Sequence, residues 1–286
     1  MKHNVCVIGG INFAVISKID SNLQDDSSIC GEIKVRFGGV ARNIILNLAK
    51  YDDLNIDFIT ILSKDILGKM AQQELDLYHV NYEKSIFEDK WESFYCETIT
   101  SGAHYGINDM KAIEKLLPNH IKELKSYIEN HDILVIDTNI NQETLEFIAS
   151  NIRIPIVCDA TSDQKCRRLL NVTGQIDTIK MNYREACALL NIEPQSKPNI
   201  EKIKTALLQL PIINCYVTLG ELGSFYLSKT EYYYQTVEKK LSVKNVLGAG
   251  DAFTASMIAG KLNGIPVSSI LKLGTIAAEK ILVGNN

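Results

Sequence analysis

The sequence predicts an α/β fold of three layers, in which a mostly parallel central sheet lies between helices and a small β-sheet forms a lid. Short apolar or β-branched runs alternate with segments of helical periodicity along most of the chain. Elements in this order build a parallel sheet that is covered by helices. Two segments, at about 11–37 and 92–107, interrupt the alternation with strand-like patterns. The length of 286 residues fits a single domain, 1–286.

Short apolar runs predict strands that are buried on both faces. These runs are Val5–Ile8, Phe58–Leu62, Ile133–Ile136, Ile154–Cys158, Thr178–Met181 and Ile213–Leu219. Apolar residues at helical spacing predict the helices between them. These are Val40–Lys50, Leu67–Tyr78, Leu116–Glu129, Gln142–Asn151, Tyr183–Leu190, Ile200–Leu210 and Asp251–Leu262. Ligands of such sheets bind at the carboxyl ends of the strands, so the residues that follow each strand are candidates for a site.

The two interrupting segments predict the lid. The first contains the strand-like pieces Phe13–Ile19 and Ile33–Phe37 with no helix between them, and the second alternates in the β manner. A small sheet over the strand ends would exclude water from a reaction. The alternative is an edge extension of the main sheet. Because an exposed lid edge can pair with another subunit, we expect a homodimer.

Composition excludes several classes of protein. The net charge of −4 and the isoelectric point near 5.8 do not favour nucleic-acid or membrane partners. No apolar run approaches the ~20 residues that a membrane-spanning helix needs, and the N-terminus lacks a signal-peptide pattern. The seven cysteines form no CxxC motif and are typical of reduced, buried thiols in a cytoplasmic protein.

The run Gly248-Ala249-Gly250-Asp251, which opens a predicted helix, is the most informative motif. Glycine-flanked backbone N–H groups and the positive end of a helix dipole together favour an anion at this point. Asp251 is explained in two ways, either as a residue favoured at helix N-termini or as a base beside a phosphoryl group. An anion site beside a carboxylate is what phosphoryl transfer to a hydroxyl requires.

Four motifs, in this order along the chain, resemble the signatures of the ribokinase-like (PfkB) sugar and nucleoside kinases. They are Gly38-Gly39-Val40-Ala41-Arg42-Asn43, Asn182-Tyr183-Arg184-Glu185, Thr218-Leu219-Gly220-Glu221-Leu222-Gly223 and Val246-Leu247-Gly248-Ala249-Gly250-Asp251-Ala252-Phe253. The resemblance covers nearly the whole chain. It implies an ATP- and Mg²⁺-dependent phosphotransferase that acts on a small molecule.

Finer features are similar to the pseudouridine kinase branch of that family. They are Gly-Gly-Val-Ala-Arg-Asn at residues 38–43, Asn47-Leu48-Ala49, Ile107-Asn108-Asp109-Met110, Asp137-Thr138-Asn139 and Asp159-Ala160-Thr161-Ser162 with Lys165. The expected reaction is therefore phosphorylation of the 5′-hydroxyl of a nucleoside, with pseudouridine as the first candidate. Ribose, a purine nucleoside or a hexose derivative is the alternative acceptor, and a non-catalytic nucleoside-binding protein is a further alternative.

The resemblance assigns catalytic and nucleotide-binding roles. Asp251 would be the general base, and the amides of Gly248, Ala249 and Gly250 would stabilise the transferring phosphoryl group. Asn182 and Glu185 would handle the triphosphate and Mg²⁺, with Glu185 acting through metal-bound water. The nucleotide would also contact Thr218, Gly220 and Gly223. From the local sequence alone, the alternative for Asn182 is a helix cap, and the last three residues equally fit a tight turn between strands.

The resemblance also assigns substrate-binding roles. Gly38 and Gly39 would bring backbone amides to the sugar, and Asn43 and Asn12 would contact ribose hydroxyls. The simpler interpretation is a turn followed by an asparagine within a helix, although asparagine is unfavourable there.

The chain departs from the family pattern at three places. Ala14 stands where an acidic residue usually grips ribose hydroxyls, which weakens the expectation of a typical ribose substrate. Asn245 is followed by Val246-Leu247 near the usual monovalent-cation loop, so a potassium requirement is not predicted. The sequence also stops a little short of the usual end of the family, so we expect the basal nucleotide site to remain while affinity for ATP is less certain.

Overall fold

The computed structural model describes residues 2–21, 28–237 and 248–284. Its strands are β1 (His3–Ile8), β2 (Asn12–Lys18), β3 (Glu32–Gly38), β4 (Leu54–Ile59), β5 (Ile61–Ser63), β6 (Ile86–Glu88), β7 (Phe94–Ile99), β8 (His104–Asp109), β9 (Ile133–Asp137), β10 (Ile156–Asp159), β11 (Thr178–Asn182), β12 (Asn214–Thr218), β13 (Ser224–Ser228) and β14 (Tyr232–Gln235). Its helices are α1 (Val40–Leu48), α2 (Ile66–Leu77), α3 (Lys111–Glu114), α4 (Pro118–Ile128), α5 (Gln142–Asn151), α6 (Tyr183–Leu189), α7 (Ile200–Leu207), α8 (Ala249–Leu262) and α9 (Val267–Leu282).

The central sheet has eight strands in the spatial order β14-β13-β12-β11-β10-β9-β1-β4. From β4 to β12 all neighbours pair in parallel, whereas β13 and β14 extend one edge in antiparallel pairs. Parallel neighbours need crossover connections, which the helices supply. The arrangement confirms the predicted α/β fold with a mostly parallel central sheet.

The apolar core is divided into two halves, one on each face of the central sheet. Val5 and Val7 of β1 belong to the half that contains residues of α1, α8 and α9, whereas Cys6 and Ile8 belong to the half that contains residues of α4, α5 and α7. Successive side chains of a strand point to opposite faces, so one short strand contributes to both halves. Burial on both faces explains why Val5–Ile8 of β1 is an uninterrupted apolar run in the sequence.

The predicted strand Phe58–Leu62 is divided between two strands, because the chain leaves the central sheet at Thr60. The Thr60 hydroxyl donates to the carbonyl of Gly9 at 2.7 Å, and the Thr60 N–H donates to the hydroxyl of Ser85 at 3.1 Å. β4 therefore ends at Ile59, and β5 pairs with β6 in a separate two-stranded sheet. A continuous apolar pattern gave no indication of this break.

The predicted helix Leu116–Glu129 begins two residues later, at Pro118. Proline has no N–H to donate, so it is favoured in the first turn of a helix, where that group would lack a partner. The body of the predicted helix is confirmed.

Residues of the two interrupting segments form a second sheet of four strands in the order β3-β2-β7-β8. β2 pairs with β3 in antiparallel and with β7 in parallel, and β8 completes the sheet beside β7. In the described part of the chain this sheet is separate from the central sheet. Its outer face exposes Val35 (58%) and Ile107 (74%). Its action as a lid and as a dimer contact both stay predictions.

The cysteines are free thiols, of which Cys30 and Cys96 are exposed and the other five are buried. Among the helices in the described ranges, none combines the length and the apolar character needed to cross a membrane.

Asp57 links β4, the outer strand of the central sheet, to the end of α4. Its carboxylate accepts hydrogen bonds from His131 Nε2 at 2.8 Å, from Asn81 Nδ2 at 3.1 Å and from the Tyr127 hydroxyl. The backbone of Asn81 also pairs with β4, which covers the open edge of the sheet. Although burial opposes charge at both groups, the hydrogen bonds lower the pKa of Asp57 and raise the pKa of His131.

This ion pair makes part of the stability dependent on pH. Its contribution is lost as the pH falls through the lowered pKa of Asp57, and it is lost again as the pH rises through the raised pKa of His131. We expect His131→Ala to lower the free energy of unfolding by about 1–3 kcal/mol near pH 6, because a hydrogen bond to a charged group is removed. The deficit should shrink at about pH 9. Urea denaturation at both pH values measures it.

The control is His3→Ala, because the His3 ring lies at the surface 3.7 Å from Asp132. This control should change stability by less than about 0.5 kcal/mol. An equal deficit of His131→Ala at both pH values would show that ring packing, and not the ion pair, carries the effect.

Candidate active site

The first turn of α8 presents backbone N–H donors that no side chain caps. Gly248, the residue before the helix, has a left-handed conformation with φ 84° and ψ −3°. The first N–H groups of a helix have no partner within it, and the helix dipole adds positive potential at the same end. This turn is therefore suited to bind an anion such as a phosphate.

Asp251, the third residue of α8, does not cap its own helix. Its Oδ2 accepts a hydrogen bond from Asn43 Nδ2 of α1 at 2.7 Å, and the residue is only 8% exposed. Burial raises the pKa of Asp251 to about 7, helped by the charge of Asp159 and opposed by Lys180 and Asn43. A carboxyl group with this pKa can accept and release a proton near neutral pH.

A buried lysine lies next to the α8 turn. Lys180 of β11 is 4% exposed, and its Nζ lies 3.2 Å from Asp159 Oδ2. The hydroxyl of Thr254 in α8 donates to the same oxygen at 2.9 Å. A Cβ on Gly250 would lie 2.7 Å from Lys180 Nζ, so glycine allows this close approach. Burial lowers the pKa of Lys180, but the neighbouring carboxylates, Asp159 first, raise it above its ordinary value.

Asp137, at the carboxyl end of β9, connects two glycine turns. Its Oδ2 accepts the N–H groups of Gly10 and Ala41, each at 3.1 Å. A Cβ on Gly9 would lie 2.7 Å from that oxygen. Gly39 has a φ of 104°, and a Cβ there would lie 2.4 Å from the carbonyl oxygen of Gly10. The turn before α1 therefore packs against the end of β1 because these residues lack side chains.

A cavity of about 430 Å³ lies on one side of the α8 turn. We call it the α9 cavity, because Thr275, Ala278 and Leu282 of α9 form part of its wall. The residues predicted for nucleotide binding or phosphoryl stabilisation that line it are Asn182, Thr218, Gly220, Gly223, Ala249 and Gly250.

Asn182 and Glu185 cap α6 reciprocally. Asn182 Oδ1 accepts the Glu185 N–H at 2.9 Å, while Glu185 accepts the Asn182 N–H and Asn182 Nδ2, both at 2.7 Å. Asn182 also lines the α9 cavity, so the cap does not exclude a ligand contact. Glu185 lies behind it, 4% exposed, and burial raises its pKa to about 7 against the opposing charge of Lys180.

A second cavity, of about 250 Å³, lies on the other side of the α8 turn, and residues of the four-stranded sheet form part of its wall. We call it the β3 cavity. The predicted residues that line it are Asn12, Gly38, Gly39, Asn43, Gly248 and Asp251. The segments that resemble one branch of kinases contribute Asn108, Met110, Asn139, Thr161 and Ser162.

The α8 turn separates the two cavities and belongs to both. Ala249 and Gly250 line the α9 cavity, whereas Gly248 and Asp251 line the β3 cavity. A phosphate at the turn would therefore be reached from the β3 cavity by a hydroxyl group, with Asp251 beside that hydroxyl.

Sequence analysis missed Lys180 and helix α9. The signal for Lys180 was a lysine within the predicted buried strand Thr178–Met181, because a buried lysine is rarely found without a partner. The signal for α9 was the helical spacing of Ile270, Gly274 and Ala278, of which the first two are buried.

Three earlier expectations fall outside the described residues. Asn245, Val246 and Leu247 lie there, so the absence of a potassium requirement stays a prediction. The last two residues, 285–286, also lie there, as does part of the first lid segment, 22–27.

Glu185, which is hydrogen-bonded to Asn182 in the wall of the α9 cavity, is the carboxylate that would hold a hydrated magnesium ion. Within residues 2–21, 28–237 and 248–284, no three His, Cys, Asp or Glu side chains group as a metal site. Mg²⁺ that binds with substrate phosphates keeps several waters and needs only one or two carboxylates. Each Glu185 oxygen accepts one hydrogen bond and keeps a lone pair for a metal-bound water.

Comparison with known proteins gives a consistent result. Residues 2–283 match the sequence model of the pfkB family carbohydrate kinases. The chain is 26% identical over 275 residues to a pseudouridine kinase of Escherichia coli (strain K12), covering 95% of this chain and 88% of that protein. It is 25% identical over 296 residues to a guanosine-inosine kinase of Exiguobacterium acetylicum, covering 99% and 96% of the two chains.

A solved structure shares the fold. The Arabidopsis thaliana ribokinase complexed with ribose and ATP superposes with a TM-score of 0.85 at 21% identity, covering 100% of this chain and 94% of that chain. This likeness supports the fold of the whole described chain.

Proposed function

The chain belongs to the pfkB family of carbohydrate kinases, and we propose that it transfers the γ-phosphoryl group of ATP to the 5′-hydroxyl of a nucleoside, with pseudouridine as the leading acceptor. The observation that carries this proposal is the position of the α8 turn between two cavities, with Asp251 on one side and Gly250 on the other.

Asp251 serves as the general base in this proposal. It takes the proton of the acceptor hydroxyl as the oxygen forms a bond to the γ-phosphorus and the bond to the ADP oxygen breaks. Asn43 holds the carboxylate in place through its hydrogen bond of 2.7 Å. The pKa of about 7 allows Asp251 to be deprotonated before the reaction and to hold the proton afterwards.

The α8 turn stabilises the phosphoryl group in transfer. Its uncapped N–H groups can donate hydrogen bonds to the phosphoryl oxygens. The charged Lys180 behind Gly250 adds a positive potential. In a buried site these fixed charges and dipoles act more strongly than they would in water.

The nucleotide occupies the α9 cavity in this proposal. Its walls include apolar side chains, among them Leu219, Phe253 and Leu282, which suit a base, while Asn182 and the α8 turn face the phosphates. Glu185 would hold a water of Mg²⁺ through the lone pairs that its hydrogen bonds leave. When bound, Mg²⁺ offsets the negative charge of the phosphates.

The acceptor occupies the β3 cavity. Support for pseudouridine comes from the similarity to a pseudouridine kinase and from the position of Asn108, Asn139 and Ser162 in the wall of this cavity. Ala14 also lines the cavity and favours a second candidate, another sugar or nucleoside, because it offers no carboxylate to ribose hydroxyls.

We also propose that the protein acts in the cytoplasm as a homodimer that pairs through an exposed edge of the four-stranded sheet, whose edge strands β3 and β8 carry the exposed Val35 and Ile107. Sedimentation equilibrium tests the dimer, because a mass equal to the 31.9 kDa of one chain would contradict it.

The acceptor is tested by ATP consumption with Mg²⁺ on pseudouridine, uridine, purine nucleosides, ribose and hexoses. We expect the highest kcat/KM on pseudouridine, with the phosphate located at O5′ by mass spectrometry and NMR. Preference for another acceptor would retain the kinase and overturn the choice of pseudouridine. Binding of ATP without turnover on any acceptor would instead favour a nucleoside-binding protein.

The role of Asp251 is tested by Asp251→Asn. We expect kcat/KM to fall roughly 10²- to 10⁴-fold, because the base is lost, while ATP affinity stays near that of the wild type. Asp89→Asn is the matched control, because the Asp89 side chain is 91% exposed and, within the described residues, pairs only with Lys64 at 3.3 Å. Turnover of Asp251→Asn at the rate of the control would exclude Asp251 as the base.

A further inference from the structure

Four side-chain positions form one row across the four-stranded sheet, on the face that lines the β3 cavity. Arg36 of β3 pairs with Ala14 of β2, Ala14 with Tyr95 of β7, and Tyr95 with Asn108 of β8. All four residues line the cavity. Residues that pair across neighbouring strands point to the same face, so the row is a continuous part of the cavity wall.

The row offers hydrogen-bond donors and contains no carboxylate. The Arg36 guanidinium has only donors, and the Tyr95 hydroxyl and the Asn108 amide can also donate. The Arg36 side chain is exposed, and it has no ion pair or hydrogen bond with any residue in the described ranges. Of the described residues that line the cavity, only Arg36 and Asp251 carry a formal charge. The cavity thus has a basic group at its α8 wall and a cation at its sheet wall.

A second observation concerns Asn12, which lies between the two walls. The residue is 7% exposed, its Nδ2 lies 3.5 Å from Met110 Sδ, and its Oδ1 has no hydrogen-bond partner among the residues that the structure describes. A buried acceptor without a partner is costly, so it indicates a ligand that donates a hydrogen bond at this point. A ligand hydroxyl group satisfies that requirement.

We propose that the β3 cavity also accepts hydroxylated acids, in which a carboxylate lies remote from the hydroxyl that is phosphorylated. The carboxylate pairs with Arg36, a middle hydroxyl donates to Asn12 Oδ1, and the terminal hydroxyl lies beside Asp251. The inference rests on the proposed phosphoryl transfer but not on pseudouridine as the acceptor.

A carboxylate is the group that matches Arg36. The planar fork of a guanidinium binds the two oxygens of a carboxylate in parallel, and such charge-assisted pairs are the strong ones. A neutral acceptor that fills the cavity would remove water from Arg36 and supply no counter-charge. An aspartate at position 14 would neutralise Arg36 across the strand pair, and this chain has Ala14 instead.

The experiment uses two matched pairs of acceptors with the full chain, ATP and Mg²⁺. D-gluconate and D-glucitol differ in one carboxylate, and so do orotidine and uridine, so the pairs separate a sugar acid from a nucleoside acid. We expect the acid of at least one pair to have a kcat/KM at least 10-fold above its neutral partner. Arg36→Gln should lower kcat/KM on that acid roughly 30-fold or more, mainly through KM, with a smaller change on the neutral partner.

Two further variants provide a control and an independent test of the role of Arg36. Lys34→Gln is the control, because Lys34 belongs to the same strand and pairs with Glu32 at 2.9 Å but does not line the cavity. It should leave the preference unchanged. Ala14→Asp should abolish the preference for the acid while Arg36 remains, which keeps the proposal testable if Arg36→Gln does not fold.

The outcomes separate the two proposals. Turnover of pseudouridine or another neutral acceptor with no preference for either acid would overturn this inference and leave the proposed kinase activity intact. If no acceptor is phosphorylated, the affinities of the same two pairs of compounds, measured by calorimetry, test the inference. Tighter binding of an acid that depends on Arg36 would support the inference, and equal binding within both pairs would overturn it.

Discussion

The ion pair between Lys180 and Asp159 determines where the first turn of α8 lies. A charged lysine that is 4% exposed needs a counter-charge, which Asp159 of the neighbouring strand supplies at 3.2 Å. Thr254 joins the same carboxylate to α8, and Gly250 lets the helix approach the ammonium. Loss of one partner would leave a buried charge unpaired, so the cluster fixes two strands and one helix relative to each other.

Polar side chains at the ends of strands also hold helices in place elsewhere along this edge of the central sheet. The neighbouring strands β9, β10 and β11 end in Asp137, Asp159 and Asn182. Each of these side chains binds a different helix near its N-terminus: Asp137 accepts from Ala41 of α1, Asp159 from Thr254 of α8, and Asn182 caps α6. Helix N-termini, with their positive dipole ends, are thereby gathered at the carboxyl edge of the sheet, and the first turn of α8 keeps N–H donors that no side chain caps. These dipole ends and the uncapped donors of α8 suit the edge to an anion such as a phosphate.

Sequence patterns predict which residues lie at this edge of the sheet better than they predict the contacts between those residues. Apolar runs locate most strands, and glycine spacing indicates the α8 turn, since both signals are local. The break at Thr60 depends on contacts with Gly9 and Ser85, which are distant in sequence, so no local pattern reveals it. For Glu185 the sequence indicates a position near the ligand, but its placement behind Asn182 follows from the cap of α6. The approach of Lys180 to Gly250 likewise arises only when two remote segments pack.

The two cavities that meet at the α8 turn place opposite demands on Asp251. Burial of the residue raises its pKa to about 7, yet the proposed role as a base also requires contact with a polar hydroxyl group. Asn43 reconciles these demands, because its hydrogen bond favours the charged carboxylate while the β3 cavity remains polar. Closure of the four-stranded sheet over the cavity would remove water and strengthen the fields of both Asp251 and Arg36. The cavity would then select acceptors by whether they provide a partner for each charge.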